Sequence, residues 1–398
     1  MRPTKAEPRR WQSASAILCV LALASCARIM PAPQPPIENA AALGVAIGPA
    51  LAELRIAQED ASAALASFIE SCPKLLARDD QSGLTQRADW QDACDAAPAW
   101  SATDPLGFFY SYLTPVRVGD SAAFATGYFE PAIAGCRVRQ SGCETPVYAM
   151  PPDLVRAWPD EVPESEREGQ PPLGRIAADG RFVPYYERAE IEAGALVGRG
   201  LEIAYASDPI ELFFLQIQGS GKIIAPDGET IRIGYAGQNG REYVSIGGVM
   251  RERELFGDEP GKYAPSMQGI VQYLRENLED GAALMRLNKS WVFSRELIGE
   301  GPLGALEVPV RRESSVAVDP RFVPLGAPVW LDLDRNEADG LWIAQDTGGA
   351  IKGANRFDTF WGAGEDAGEI AGGMSGRGQA LVLVPKASAE RLNLANAE

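Results

Sequence analysis

The last quarter of the chain, Glu313 to Pro385, constrains the fold most. It sets three aspartates in tight glycine- and proline-rich surroundings: Val316-Ala-Val-Asp319-Pro-Arg321-Phe-Val-Pro-Leu-Gly326, Trp342-Ile-Ala-Gln345-Asp346-Thr-Gly-Gly-Ala350 and Arg356-Phe-Asp358-Thr-Phe-Trp-Gly362-Ala-Gly364. Between these turn formers lie short apolar runs, Pro328–Leu333, Leu341–Gln345 and Ala380–Val384, which read as strands. Gly127–Phe129 and Glu211–Gln218 read the same way farther upstream. The whole chain has 41 glycines and 30 prolines, many in the turns of this region.

Helical signals are fewer. Leu65, Phe68, Ile69 and Cys72 recur at helical spacing. A second helix is expected from Met267 to Leu278, with Met267, Ile270, Val271, Leu274 and Leu278 on its apolar face and Ser266 as the cap. Both stripes read as core-packing faces. Pro159–Gly174, rich in Pro and Glu, reads as an exposed loop. No internal repeat is evident.

The 398 residues contain no histidine. That removes the usual general base, the Ser-His and Cys-His nucleophile systems and every histidine-ligated metal site. Acid–base chemistry therefore falls first to carboxylates. Formal charge is −17, and removal of residues 1–25, with four basic residues and one acid, leaves the rest near −20. Nucleic acid is disfavoured as a partner, because it normally needs a basic surface. Gly362-Ala-Gly364-Glu-Asp-Ala-Gly368 lacks dinucleotide-loop spacing, and Gly219-Ser-Gly221-Lys222 falls short of a P-loop.

The N-terminus reads as an export signal. Arg2, Lys5, Arg9 and Arg10 precede a short apolar stretch, Ala14 to Ala24, too short to span a membrane. It ends in Leu23-Ala24-Ser25-Cys26, which resembles a bacterial lipobox with Cys26 as the lipidated residue. With Ala27 next, bacterial sorting favours an outer-membrane lipoprotein facing the periplasm. Residues 1–25 are then the signal peptide, and 26–39 a tether stiffened by Pro31-Ala-Pro-Gln-Pro-Pro36. Cys72, Cys94, Cys136 and Cys143 remain, an even number suited to an oxidising compartment. Proximity suggests Cys72–Cys94 and Cys136–Cys143, among three arithmetically open pairings. No Cys-x-x-Cys spacing supports a metal site.

The three-aspartate block resembles the 3D domain of the membrane-bound lytic murein transglycosylase A family. Thr126-Gly-Tyr128-Phe-Glu130-Pro, Phe213-Phe-Leu-Gln216-Ile-Gln218-Gly-Ser220-Gly and Ser290-Trp-Val-Phe293 fit the same family, so the resemblance spans roughly Phe124 to Pro385. It implies a mainly β fold with some α: a double-psi β-barrel catalytic domain, an inserted second β-barrel and N-terminal helices. The expected bounds are 40–130 plus 290–388 for the discontinuous first domain, with the 3D region at 313–385, and 131–289 for the insert. A groove between the two would hold the glycan. The implied activity is cleavage of the β-1,4 bond between N-acetylmuramic acid and N-acetylglucosamine in peptidoglycan, leaving 1,6-anhydromuramoyl ends; the lack of histidine, metal-spaced thiols and a nucleotide loop leads to the expectation of no cofactor or metal. Two alternatives stay open: a water-using hydrolase, and a non-catalytic peptidoglycan-binding lipoprotein. Cell-wall synthesis or division complexes are the expected protein partners.

Lytic cleavage needs one group to protonate the glycosidic oxygen and then to draw the proton from the C6 hydroxyl that attacks C1. One carboxyl can do both, unlike the paired carboxylates of ordinary glycosidases. Its pKa must be raised by burial or by a neighbouring carboxylate. Asp358, between Phe357 and Phe360-Trp361, suits that role and matches the family's catalytic aspartate. The family often carries histidine two residues earlier; here Arg356 stands there, and a cation at that spot lowers an aspartate's pKa. Asp346 ends a strand before a Thr-Gly-Gly turn; it serves either to orient sugar and raise the pKa of Asp358, or only to brace that turn. Asp319, before Pro320, reads as a turn starter paired with Arg321. Gln216, Gln218 and Ser220 read as sugar-contacting, with both amides on one strand face. Thr126, Tyr128 and Glu130 alternate onto one face beside the groove. Glu130 is the rival acid, and Tyr128 is either a sugar-stacking ring or a core residue.

Overall fold

The computed structural model describes residues 37–299 and 301–394. The signal region, Cys26 and the Pro31–Pro36 segment lie outside them. The chain first lays down strands β1 (Val45–Ile47), β2 (Leu113–Val118) and β3 (Ala122–Glu130). It then crosses to β4 (Ala132–Cys136) and β5 (Thr145–Tyr148), and makes a small antiparallel sheet from β6 (Val155–Arg156), β7 (Leu173–Ile176) and β8 (Phe182–Pro184). Next come β9 (Glu202–Ala206), β10 (Gly221–Ile224), β11 (Thr230–Gln238) and β12 (Val292–Glu296). The return supplies β13 (Ser315–Ala317), β14 (Pro328–Leu333), β15 (Gly340–Asp346), β16 (Arg356–Ala363) and β17 (Ser375–Pro385).

The first sheet has the order β1-β2-β17-β14-β15-β13-β16-β3. The 11-residue β17 pairs with β2 through Val382–Pro385 and with β3 through Ser375–Gln379. The β3–β17 ladder closes β17, β14, β15, β13, β16 and β3 into a six-stranded barrel, which leaves none of those strands as a free edge. The second sheet runs β12-β11-β10-β4-β9-β5, and its edge strands β12 and β5 approach each other without a ladder. Its core is Ile133, Val147, Ala204, Ile223, Ile231 and Ile233. The expected boundary at residue 290 needs correction: β12 pairs with β11, so the crossing back to the barrel follows Glu296.

The N-terminal helices pack on the barrel. Gln58–Leu75 buries Ala61, Ala64, Leu65, Phe68, Cys72 and Leu75; of the expected stripe, Leu65, Phe68 and Cys72 are buried and Ile69 is partly buried against the same core. Phe68 meets Trp90 and Phe108 at ring-centroid distances of 6.0 and 5.4 Å. Disulfides join Cys72 to Cys94 and Cys136 to Cys143. The Met267 helix ends at Glu276; a second helix starts at Leu278, which is exposed and not on an apolar face. Ser266 caps the first, its side chain accepting from Gly269 N–H.

One expected strand is a helix. Pro209–Gln218 starts with Asp208 accepting from the Ile210 N–H at 2.7 Å and with Pro209 in the first turn. It stops at Gly219, φ 83°, in the left-handed region. Ile210, Leu212, Phe213, Leu215 and Gln216 are buried, with steps of three (210–213, 212–215) and four (212–216) that the alternation from Phe213 to Gln218 hid.

Candidate active site

Ladder register assembles the site. β16 pairs with β3 on one side and β13 on the other, and β13 pairs with β15. Thr126, Asp358, Ala317 and Asp346 therefore sit side by side across four adjacent strands. Ala317 offers only a methyl group, so the carboxyls flank it about two strand spacings apart, ~10 Å between backbones. A register shift pairs Val316 with Ala344 and Ala317 with Asp346, skipping Gln345. Such a bulge re-aims side chains. Gln345 turns into the core, where its amide meets the Ser67 carbonyl (3.1 Å), the Ser71 hydroxyl (2.9 Å) and Ser315 Oγ. That buried network fixes the strand end carrying Asp346.

Asp358 is half-buried among close neighbours. Its Oδ1 accepts from the Thr126 hydroxyl at 2.5 Å, and no described residue holds Oδ2 in a hydrogen bond. Burial raises its pKa to about 6. The Thr126 bond and the Arg356 cation pull it down, and the Asp346 charge pushes it up. The effect anticipated from Arg356 is present, but burial outweighs it.

Asp346 is also raised to about 6 by burial, against three donors. Its Oδ1 accepts from Ala305 N–H and Thr347 N–H, both at 2.8 Å, and its Oδ2 from the Tyr128 hydroxyl at 3.0 Å. Tyr128 is buried against Phe360, ring centroids 5.0 Å apart, in a small cluster with Val310, Ala317 and Ile351. Burial first, then the charges of Asp346 and Asp358, holds its phenol well above the usual range, so it stays a donor. Asp346 thus accepts three hydrogen bonds and Asp358 one, so donors favour the ionised form more at Asp346.

Asp319 is braced elsewhere. It is 2% exposed and accepts from Arg321 Nη2 (2.7 Å), Arg321 N–H (3.1 Å) and Gly353 N–H (2.8 Å), which ties down the approach to β16. Burial opposes its ionisation, but Arg321 and these amides outweigh it and lower its pKa. Glu130 is 3% exposed and pairs with Lys222 Nζ at 3.0 Å; its Oε1 has no partner among the described residues. It lies four residues along β3 from Thr126, about 13 Å away.

Gln216 and Gln218 lie on a helix, not on one strand face. The Gln216 amide is used internally: Oε1 accepts from Arg188 Nη2 at 2.9 Å and Nε2 donates to the Val292 carbonyl at 3.4 Å. Gln218 Oε1 accepts from Phe129 N–H at 3.0 Å, clipping this helix to β3 beside Tyr128. Ser220 is buried just before β10. At Gly221 a Cβ would lie 2.9 Å from the Pro131 carbonyl, so the close backbone approach there is to β3's exit.

Sequence reasoning missed Tyr243. It sits in the loop after β11, where Asn239 bonds the Tyr186 and Lys289 carbonyls, and Val244 N–H bonds Asn288. The Tyr243 Cβ lies 3.8 Å from where a Cβ on Gly349 would be, in the turn after Asp346. Burial, then the Asp358 charge, raises its pKa, against a bond from Ser245 and the Arg356 cation. The second half of the molecule thus reaches the three-aspartate region. Only its aromatic character was visible in sequence. Among the described residues no group of three or more Cys, Asp or Glu is placed to hold a metal ion.

Comparison with known proteins gives two family matches, the MltA specific insert domain over residues 124–295 and the 3D domain over 314–384. Membrane-bound lytic murein transglycosylase A of Vibrio cholerae is 33% identical over 268 residues, 65% of this chain and 69% of that protein. The chain belongs to the membrane-bound lytic murein transglycosylase A family. The Escherichia coli K12 relative is 32% identical over 65% of this chain and 64% of its own length. Among solved structures, Neisseria gonorrhoeae MltA superposes with TM-score 0.67 at 36% identity, covering 85% of this chain and 90% of that one. The Agrobacterium tumefaciens membrane-bound lytic murein transglycosylase gives 0.75 at 26%, covering 88% and 99%. E. coli MltA with bound chitohexaose gives 0.59 at 26%, covering 83% and 91%.

Proposed function

We propose that this protein is a peptidoglycan lytic transglycosylase that cleaves between N-acetylmuramic acid and N-acetylglucosamine with Asp358 as its single acid and base. The observation that carries the reading is the contrast between the carboxyls. Asp319 is bound to Arg321, Glu130 to Lys222, and Asp346 has donors on both oxygens. Asp358 has a raised pKa and an oxygen with no hydrogen-bond partner among the described residues.

Protonated Oδ2 donates to the glycosidic oxygen as the C1–O bond breaks. Positive charge grows on the muramoyl ring, and ionised Asp346 offsets it through the same low-dielectric neighbourhood. The Asp358 carboxylate then takes the C6 hydroxyl proton as that oxygen closes on C1. The product keeps all its atoms and no water is consumed. A hydrolase would need a second carboxylate free to deprotonate water, and Asp346 is already held by three donors. The glycan-binding relative from E. coli supports a saccharide as the ligand.

On this reading residues 40–130 and 297–388 are the catalytic domain and 131–296 the insert, with Tyr243 brought in from the insert. Cys26 is the lipid attachment site, which holds the enzyme to the outer membrane facing the periplasm. No helix among the described residues is long and apolar enough to cross a membrane. The test is Asp358→Asn, digested against purified sacculi. A folded variant that binds chito-oligosaccharide but releases no anhydromuramoyl product supports the reading. Near-normal release removes Asp358 from the role.

A further inference from the structure

Arg356 and Asp358 lie two apart on β16, with side chains on the same face. Opposite them on β3 are Phe124 and Thr126. The Arg356 guanidinium lies over the Phe124 ring, 4.9 Å from its centroid. The Arg377 guanidinium, from β17, packs on that ring at 4.7 Å. Of the Arg356 fork, Nη1 donates to the Phe357 carbonyl and Nη2 donates to Thr126 Oγ1 at 2.9 Å. A guanidinium can only donate, so Thr126 Oγ1 accepts there and turns its one proton to Asp358 Oδ1. The chain Arg356–Thr126–Asp358 is thus polarised in one direction. Its far end decides which carboxyl oxygen is an acceptor and which carries the proton.

We propose that Arg356 is a positioning residue for the reaction: acting through Thr126, it locks Oδ1 of Asp358 as an acceptor and leaves Oδ2 to give and retake the proton. Arginine suits this because its fork is planar and never loses its charge, so the relay keeps one polarity across the working pH range. The proposal rests on Asp358 being the acid. The charged and titratable groups that face Asp358 are Arg356 on its own strand, Tyr128 on β3, Asp346 on β15 and Tyr243 from the β11 loop, with Arg377 behind the Phe124 ring. Among the described residues, the Thr126 bond and Arg356 hold the Asp358 proton affinity down.

The test measures kcat, KM and pH profile on purified sacculi for R356M, R356K, T126V and the double variant R356M/T126V, with melting temperature as the fold check. R356M and T126V should each lower kcat about tenfold or more with KM little changed, the cost of a mis-set reacting group. Both should move the alkaline limb to higher pH. R356K keeps the charge but not the fork, so it should lose kcat while its limb stays near the wild-type position. The double variant should be no worse than the poorer single, because Arg356 works through Thr126. Wild-type kcat and pH profile in folded R356M, or fully multiplicative losses in the double variant, would overturn the relay. If R356M does not fold, R356K with wild-type kcat overturns it. D358N separates the two levels: turnover in D358N removes the underlying assignment, whereas a dead D358N beside an unaltered R356M removes the relay alone.

Discussion

Replacing Asp358 with Asn should abolish turnover and at the same time stabilise the protein at neutral pH. Asn keeps the shape and an oxygen to accept from Thr126, but never carries the buried charge. The magnitude follows from the pKa, which rises from an ordinary 3.8 to about 6. A rise of about two pH units corresponds to about 3 kcal/mol. The carboxyl is still partly open to water, so about 1–2 kcal/mol is the expected gain after screening. The sign is fixed by proton linkage. Below the unfolded pKa both states hold the proton, and Asp358 costs nothing. Between that value and about 6 the native state keeps a proton that the unfolded state releases, so wild-type stability falls as pH rises. Above about 6 the native carboxyl is ionised and the penalty is complete. Urea unfolding at several pH values from 3.5 to 8 (roughly the span of the linkage) should show the D358N advantage growing toward pH 6 and then levelling. An advantage that is constant with pH, or a destabilised D358N, would refute burial as the source of the raised pKa.

Asp319 gives the opposite sign. Its pKa is lowered, so its contribution is present above the unfolded pKa and lost as pH falls through the folded one. Asp319→Asn should cost about 1.5–3 kcal/mol at pH 7, the range for a lost charged hydrogen bond, and the cost should fade in acid; a cost that persists unchanged in acid argues against the ion pair as its origin. Tyr128→Phe removes a donor from Asp346 and should lower kcat about tenfold without loss of glycan binding, checked by turnover and oligosaccharide titration. Lys222→Ala leaves Glu130 buried without its cation and should lower stability by about 1–3 kcal/mol, with Glu130→Gln in the same background restoring part of it. Activity should survive EDTA; loss restored by one divalent ion would replace the carboxyl-only mechanism with a metal site.

What could be read from the sequence divides by range. The strand ending at Asp346 was legible because apolar runs and Gly/Pro turns are local signals, and so was the helical stripe around Leu65 and Phe68, whereas the strand Arg356–Ala363 that carries Asp358 was not among those expected. The Pro209–Gln218 helix was misread although its stops were in view: Asp208-Pro209 begins it and Gly219 ends it. Six residues of apolar-polar alternation outweighed them, yet Ile210, Phe213, Leu212 and Leu215 satisfy helical spacing equally. Two amides expected on one sugar-facing edge are instead an internal pair of clips, to Arg188 and to Phe129. Tyr243 and the Arg356–Thr126–Asp358 chain were out of reach, because they depend on contacts more than 100 residues apart, as the 232-residue separation of Thr126 and Asp358 shows. The bulge that turns Gln345 inward and Asp346 toward Ala317 likewise exists only once β13 and β15 are paired. The same holds for the return point, since β12 could be assigned to the second sheet only by its ladder with β11.

In the proposed reaction the muramoyl C6 hydroxyl, not water, takes the place of the departing sugar under the control of one carboxyl. Digestion of purified sacculi in oxygen-18 water, followed by mass spectrometry of the released muropeptides, tests it directly. The expected products are 1,6-anhydromuramoyl ends that carry no label, with their formation lost in D358N. Labelled reducing ends produced by the wild-type enzyme would contradict it.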